Sequence, residues 1–404
     1  MLKVKTLSNG VKAVVKERPD LSSVTVSVWV KAGASYERED ERGIAHFLEH
    51  VIFNGSEGFP EGEADRIVEG VGGELNAATS YDYTYYYVNL PAEEWEVALS
   101  VLSDLTLRPL IDQKHVEKEI PIVLEEIVRS RDNPHEVFTE EFLKRLYRRA
   151  PYRFPILGFE ETVRSFTSEK VRSFYERFYT PKRLTVVVEG NIKGESVLEK
   201  IEELFGNLKR EEYHFTPETE NELCSNGKLT IKHPAVELPY VLLGWKLPPA
   251  GRHDVYYDIL DSLLSLGRSS LLFRELREKG IVFSASSNYQ NLKFGANFTV
   301  GAVTEKPEEA AEEILKLCRE LSQIAEKEFE VAKRKLYRTE LFGREVGEAE
   351  ADSLGFASTV MEDIGYSTEF LEDLKKAQLP QFLKAIEFLK EEPLLGLLLP
   401  ETAV

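Results

Sequence analysis

Cysteine is nearly missing: Cys224 and Cys318 are the only two in 404 residues, far apart and without metal-ligand spacing. That argues against a disulfide framework and fits a reducing compartment. No stretch approaches the roughly 18 uninterrupted apolar residues that a membrane span needs. The opening segment, Met1 to Gly10, lacks the basic-then-apolar layout of a secretory signal. The expectation is therefore a cytoplasmic protein with no membrane partner. Positive charge is also short, with 51 Lys and Arg against 70 Asp and Glu and a net charge of −19. That balance argues against a nucleic-acid partner. An acidic surface is compatible with basic peptides, although solvation is its commoner meaning.

What is present is an ordinary globular composition, 42% hydrophobic and 30% charged, on a chain too long for one hydrophobic core. Residues 2–17 read as a hairpin around Asn9-Gly10, and Val24 to Val30 alternates as a strand. A β-rich run spans Tyr81 to Leu90, where half of the tyrosine rings are expected in the core. Helices are expected from Pro91 and over 112–131, and Leu184 to Val188 reads as another strand. The order then repeats: strand Tyr240 to Trp245, helices around 253–278, strands between Val282 and Val303, a helix opened by Pro307, and a last strand Leu394 to Leu399. The expected fold is α+β, with two duplicated halves, each a mainly antiparallel sheet covered by helices. A polar tract places a linker at 211–227, between a first domain 1–210 and a second domain 228–404.

Within the apolar run Gly43 to Phe53 stand His46, Glu49 and His50. On a helix the positions i, i+3 and i+4 share one face, so these three side chains point the same way. Three polar groups on an apolar helix are costly unless they share a partner. Two imidazoles at i and i+4 can hold zinc, and the carboxylate between them can take a proton from a water activated there. The order is H-x-x-E-H, the inverse of the commoner H-E-x-x-H. Asp40 is the expected N-cap of this helix and Asn54-Gly55 its expected stop.

A catalytic zinc needs a third protein ligand. In Lys118 to Arg129, Glu126 falls on the face of Ile122, Val123 and Ile127, whereas Glu125 is rotated away by about 100°. An inward carboxylate needs a cation, which makes Glu126 the candidate ligand. Glu119, two turns earlier on the same face, suits a group that supports a ligand histidine. The remaining histidines, His115, His135, His214, His233 and His253, lie in polar or turn-like contexts and are expected at the surface.

His46-x-x-Glu49-His50 followed 76 residues later by Glu126 resembles the pitrilysin-type, or inverzincin, family of zinc peptidases. Gly72-Gly73 with Asn76-Ala77, Pro155 to Gly158, Tyr179-x-Pro181 and Leu276 to Lys279 support the resemblance across most of the chain. Its length and two halves are similar to the short, processing-peptidase-like members. The resemblance implies a zinc endopeptidase acting on short or unfolded peptides inside a dimer chamber, with one Zn2+ per chain. It implies that His46, His50 and Glu126 bind the metal, that Glu49 is the general base and that Glu119 supports it. It also implies that the segment holding Leu75, Asn76, Ala77 and Ala78 is an edge strand to which substrate adds.

The second half of such chains supplies an Arg and a Tyr to the substrate carbonyl. Arg277 matches the Arg, but the Tyr position reads as Phe283, which has no hydrogen bond to give. Three readings follow: a peptidase active as a homodimer, a zinc-bearing subunit of a heterodimer whose partner brings the Arg/Tyr pair, or a non-catalytic core or scaffold homologue. The full set of predicted zinc-site residues favours the first two.

Overall fold

The computed structural model describes residues 1–401. The chain divides into two units, neither of them continuous in sequence. One comprises Met1–Arg129, Phe154–Pro217 and Gly343–Thr368; the other comprises Ser130–Arg153, Glu218–Phe342 and the chain from Glu369 onward. The long crossing at 217–218 falls in the polar tract 211–227. The division differs from the expected contiguous split, because 130–153 belongs with the second unit and 343–368 with the first.

The first unit holds strands β1 (Leu2–Thr6), β2 (Lys12–Glu17), β3 (Ser23–Val30), β4 (Glu74–Thr79), β5 (Thr84–Pro91) and β6 (Leu184–Gly190). They form one sheet in the order β1-β2-β6-β3-β5-β4. Each pairing is antiparallel except β2 with β6. Every residue of β6 is buried, as its unbroken Leu-Thr-Val-Val-Val sequence requires of a central strand. β5 alternates buried and half-buried residues. Its Tyr86 ring is fully buried with its hydroxyl 2.8 Å from that of Tyr179, while Tyr85 stacks on Trp29 at 4.3 Å. Of the five tyrosines in this run, Tyr81 and Tyr86 are buried and Tyr83, Tyr85 and Tyr87 are half-buried, close to the expected half. Helices α1 (Ile44–Ile52), α2 (Glu63–Gly70), α3 (Trp95–Leu107) and α4 (Gln113–Asp132) belong to the same stretch of chain.

The second unit holds β7 (Gly227–His233), β8 (Tyr240–Lys246), β9 (Ser284–Gln290), β10 (Asn297–Val303) and β11 (Leu394–Pro400), in the order β7-β11-β8-β10-β9. Only β11 with β7 is parallel. Without β1, the first sheet has this same order and the same single parallel pair, so the duplicated α+β architecture holds.

The discontinuity has a packing cause. Each sheet has a face that water must not reach, and a helix distant in sequence covers it. In the second unit, Phe138 and Phe142 of the helix Pro134–Leu146 lie where Cβ atoms on Gly396 and Gly244 would stand, 2.7 Å away in each case. In the first unit, Gly355 of the helix Gly347–Thr359 lies against Trp29, and a Cβ there would come within 2.2 Å of the indole. Helix propensity alone favours Ala over Gly by about 1 kcal/mol. Overpacking against the indole, which is 2% exposed and tied to Ser27 Oγ at 3.0 Å, costs about 1–3 kcal/mol. Gly355→Ala is accordingly expected to lower the denaturation midpoint; a raised midpoint would mean that Trp29 yields.

Cys224 is exposed, Cys318 is buried, and both are free thiols. Among the described residues no helix is long and apolar enough to cross a membrane.

Candidate metal centre

α1 starts differently from the expectation. Asp40 sits in a short turn, Glu39–Glu41, and the residue preceding the helix is Gly43 at φ 93°. A Cβ on Gly43 would meet the Leu157 carbonyl oxygen at 2.5 Å, so the Pro155 to Gly158 motif packs directly against the helix entry. Two N–H groups at the helix entry are taken by Glu37, whose carboxylate accepts from Gly43 and Ala45, each at 2.9 Å. Burial pushes the Glu37 carboxyl up to about 8, opposed by those two backbone bonds. Six apolar residues of α1, Phe47, Leu48, Val51 and Ile52 among them, are buried. His46, Glu49 and His50 are left half-buried on the remaining face.

α4 brings the carboxylates that face His46 and His50. Glu119 is 5% exposed, Glu126 is half-buried and Glu125 faces solvent, as helical phase requires. His46 Nε2 lies 3.5 Å from Glu126 Oε2, and His50 Nε2 lies 3.6 Å from the same oxygen. One donor atom from each of the three side chains falls within 4.8 Å of the other two. A tetrahedral zinc with bonds of about 2.0–2.2 Å needs donors roughly 3.3–3.6 Å apart. The spacing of the trio fits that ion, and two imidazoles with one carboxylate are a donor set that zinc accepts.

The electrostatics of this face are set by burial and by the neighbouring carboxylates. Burial, with the His50 charge beside it, pulls His46 down to about 3, leaving its ring neutral and able to donate a lone pair. Burial alone also lowers His50, but the hydrogen bond to Glu119 and the carboxylates of Glu126, Glu49 and Glu119 outweigh it, and the net shift is upward. Burial likewise raises Glu49. His50 Nδ1 meets Glu119 Oε2 at 3.3 Å, whereas His46 Nδ1 is buried with no hydrogen-bond partner among the described residues.

Glu49 does not stand alone. The hydroxyl of Thr79, the last residue of β4, donates to Glu49 Oε2. Thr79 escapes sequence reasoning because only the strand pairing carries it to α1. β4 is paired on one side only, with β5, so it is an edge strand among the described residues. Leu75 and Asn76 line a groove of about 550 Å³ with Glu49, His50, Phe53 and Ile122. Ala77 and Ala78 lie on the same strand, and the Ala77 N–H is taken by Asn76 Oδ1 at 2.8 Å.

Arg277 and Phe283 belong to the second unit. Arg277 ends the turn Phe273–Arg277 with its guanidinium 4.9 Å from the Phe273 ring centroid, and Phe283 is 52% exposed just before β9. Two of the five surface histidines depart from expectation. His115 is buried on α4, its Nδ1 3.1 Å from the Leu110 carbonyl oxygen and from Asp112 Oδ1. His233 is half-buried and accepts the Ala235 N–H at 3.1 Å.

Comparison with known proteins bears on this geometry. Residues 12–159 match the family described as Insulinase (Peptidase family M16), and residues 165–336 match the Peptidase M16 inactive domain. An uncharacterized zinc protease of Bacillus subtilis, YmxG, is 32% identical over 312 residues, covering 74% of this chain and 73% of its own. Among solved structures, a protease from Helicobacter pylori superposes with a TM-score of 0.91 at 24% identity over 99% of both chains. An M16-like peptidase from Alicyclobacillus acidocaldarius gives 0.88 at 24% identity, over 99% of this chain and 98% of its own. At that identity the two structures speak for the fold alone.

Proposed function

The chain belongs to the insulinase-type peptidase family M16, and from that premise we propose that it is a zinc-dependent endopeptidase cleaving short or unfolded peptides. The observation that carries this reading is the convergence of His46 Nε2, His50 Nε2 and Glu126 Oε2, with the Glu49 carboxylate on the same helix face. In this reading His46, His50 and Glu126 hold one zinc per chain. Zinc, when bound, supplies the Lewis acidity that makes water nucleophilic near neutral pH and polarises the scissile carbonyl.

The protein's own groups do the rest. Glu49 takes the proton from the attacking water and passes it to the leaving amine nitrogen. Thr79 holds one Glu49 oxygen, so the other is the one free for that transfer. Glu119 fixes the His50 ring through Nδ1. A substrate peptide adds along β4, where main-chain hydrogen bonds over Leu75 to Ala78 tolerate many side chains. Two paired chains would enclose such a peptide in a chamber, and a reducing, cytoplasmic setting is compatible with both free thiols.

The test is peptide cleavage by the purified chain, with and without a zinc chelator. Zinc-dependent turnover by the single chain supports a homodimer. A zinc-loaded chain that turns over only with a related partner chain supports the heterodimer reading, which Phe283 specifically favours. The non-catalytic reading requires no cleavage under either condition. Phe283→Tyr adds a hydroxyl donor, and one oxyanion donor is worth about 3 kcal/mol, roughly 100-fold in kcat. A rise of that order is expected if position 283 serves the chain's own carbonyl clamp; an unchanged kcat removes it from that role.

A further inference from the structure

We infer that Asn54 and Lys118 are positioning residues for the metal ligand His50, acting through Glu119; this rests on reading His46, His50 and Glu126 as a zinc centre. Asn54 lies two residues beyond α1 and is 4% exposed. Its Nδ2 donates to Glu119 Oε1 at 2.8 Å and to the His50 carbonyl oxygen at 3.2 Å. Its Oδ1 accepts from Lys118 Nζ at 2.6 Å, and Lys118 is also paired with Glu61.

The sense of that amide is fixed by chemistry. Ammonium can only donate, and a carboxylate and a carbonyl can only accept. A flipped Asn54 would set its oxygen against two acceptors and its NH₂ against an ammonium. Lys118 therefore holds the amide in the one orientation that presents N–H to Glu119.

Glu119 then has both oxygens engaged, Oε1 by Asn54 and Oε2 by His50 Nδ1 at 3.3 Å. At 5% exposure, water does little to replace a lost partner. Freed at Oε1, the carboxylate can turn about its last bond, and its other oxygen leaves the line of the His50 ring. That line matters more for His50 than for its neighbour. Among the described residues His46 has no partner at Nδ1, so of the two histidine rings only that of His50 is oriented by a side-chain hydrogen bond.

The rival explanation is mechanical, with Asn54 and Lys118 merely clasping the end of α1 to α4. The two differ in whether the effect passes through Glu119. Zinc affinity is measured by chelator competition on the full chain for the parent, Asn54→Leu, Glu119→Gln and the double variant, with thermal unfolding of each metal-free form as the folding control. Loss of a group behind a ligand typically costs 10–100-fold in metal affinity. Asn54→Leu is expected to weaken zinc about 10-fold, and the double variant to bind no more weakly than Glu119→Gln alone. The visible spectrum of the cobalt-loaded Asn54→Leu chain is expected to shift, because the ligand field changes with ring orientation. Should Asn54→Leu fail to fold, Lys118→Met, at a half-exposed position, is expected to weaken zinc by about 3-fold, and only while Glu119 is present. Unchanged affinity in a folded Asn54→Leu chain, or effects that multiply in the double variant, would overturn the inference. A parent chain that takes up no zinc would instead overturn the metal centre on which it stands.

Discussion

Glu49→Gln is expected to keep zinc at one per chain while lowering kcat by about 10²- to 10⁴-fold, the usual worth of a positioned general base. The substitution preserves size and still offers Thr79 an acceptor, so it removes the proton-accepting oxygen and little else. Stability distinguishes a lost base from a damaged fold. In the metal-free chain, burial lifts the Glu49 carboxyl above its ordinary value. Its ionised form therefore weakens folding increasingly as pH rises from that ordinary value to the raised one. A neutral amide carries no such cost, and at neutral pH the variant should be at least as heat-stable as the parent. The measurements are metal content, denaturation midpoint and peptide turnover on one preparation. Cleavage at the parental rate would remove Glu49 from the role of base.

What could be seen in the sequence was what local periodicity controls. His46, Glu49 and His50 stand out because a 3.6-residue repeat puts three polar groups on one face of an otherwise apolar helix. Glu126 and Glu119 follow from the same phase on α4, seven residues apart. β3 and β6 were legible as strands from alternation and from an unbroken apolar run. What escaped depends on packing between distant segments. The helix Gly347–Thr359 covers the sheet of a unit that begins at Met1, and nothing in its own sequence names Trp29 as its partner. Glu37 reads as one acid among many until the chain folds back and aims its carboxylate at the first N–H groups of α1. Asn54 was legible as a helix stop but not as the amide that engages Glu119, since that contact crosses 65 residues. His115 looked solvent-exposed because its neighbours in sequence are polar, yet the first turn of α4 buries it.

The companion experiment concerns the third ligand. Glu126→Ala leaves two imidazoles, and zinc affinity is expected to fall by more than the roughly 100-fold that loss of a supporting group can cost. Glu125→Ala is the internal control. Its carboxylate is one residue away but rotated by about 100° into solvent, so its removal should leave zinc uptake unchanged. Thermal unfolding of the metal-free Glu126→Ala chain beside the metal-free parent is the folding control. Zinc should therefore raise the denaturation midpoint of the parent and of Glu125→Ala, and raise that of Glu126→Ala far less, since a ligand stabilises only in proportion to its affinity for the folded state. If both variants bound zinc equally well, the 3.5 Å and 3.6 Å separations from the histidine nitrogens would reflect packing rather than a shared ion. The third ligand would then have to be sought among the other carboxylates of the groove, with Glu119 first.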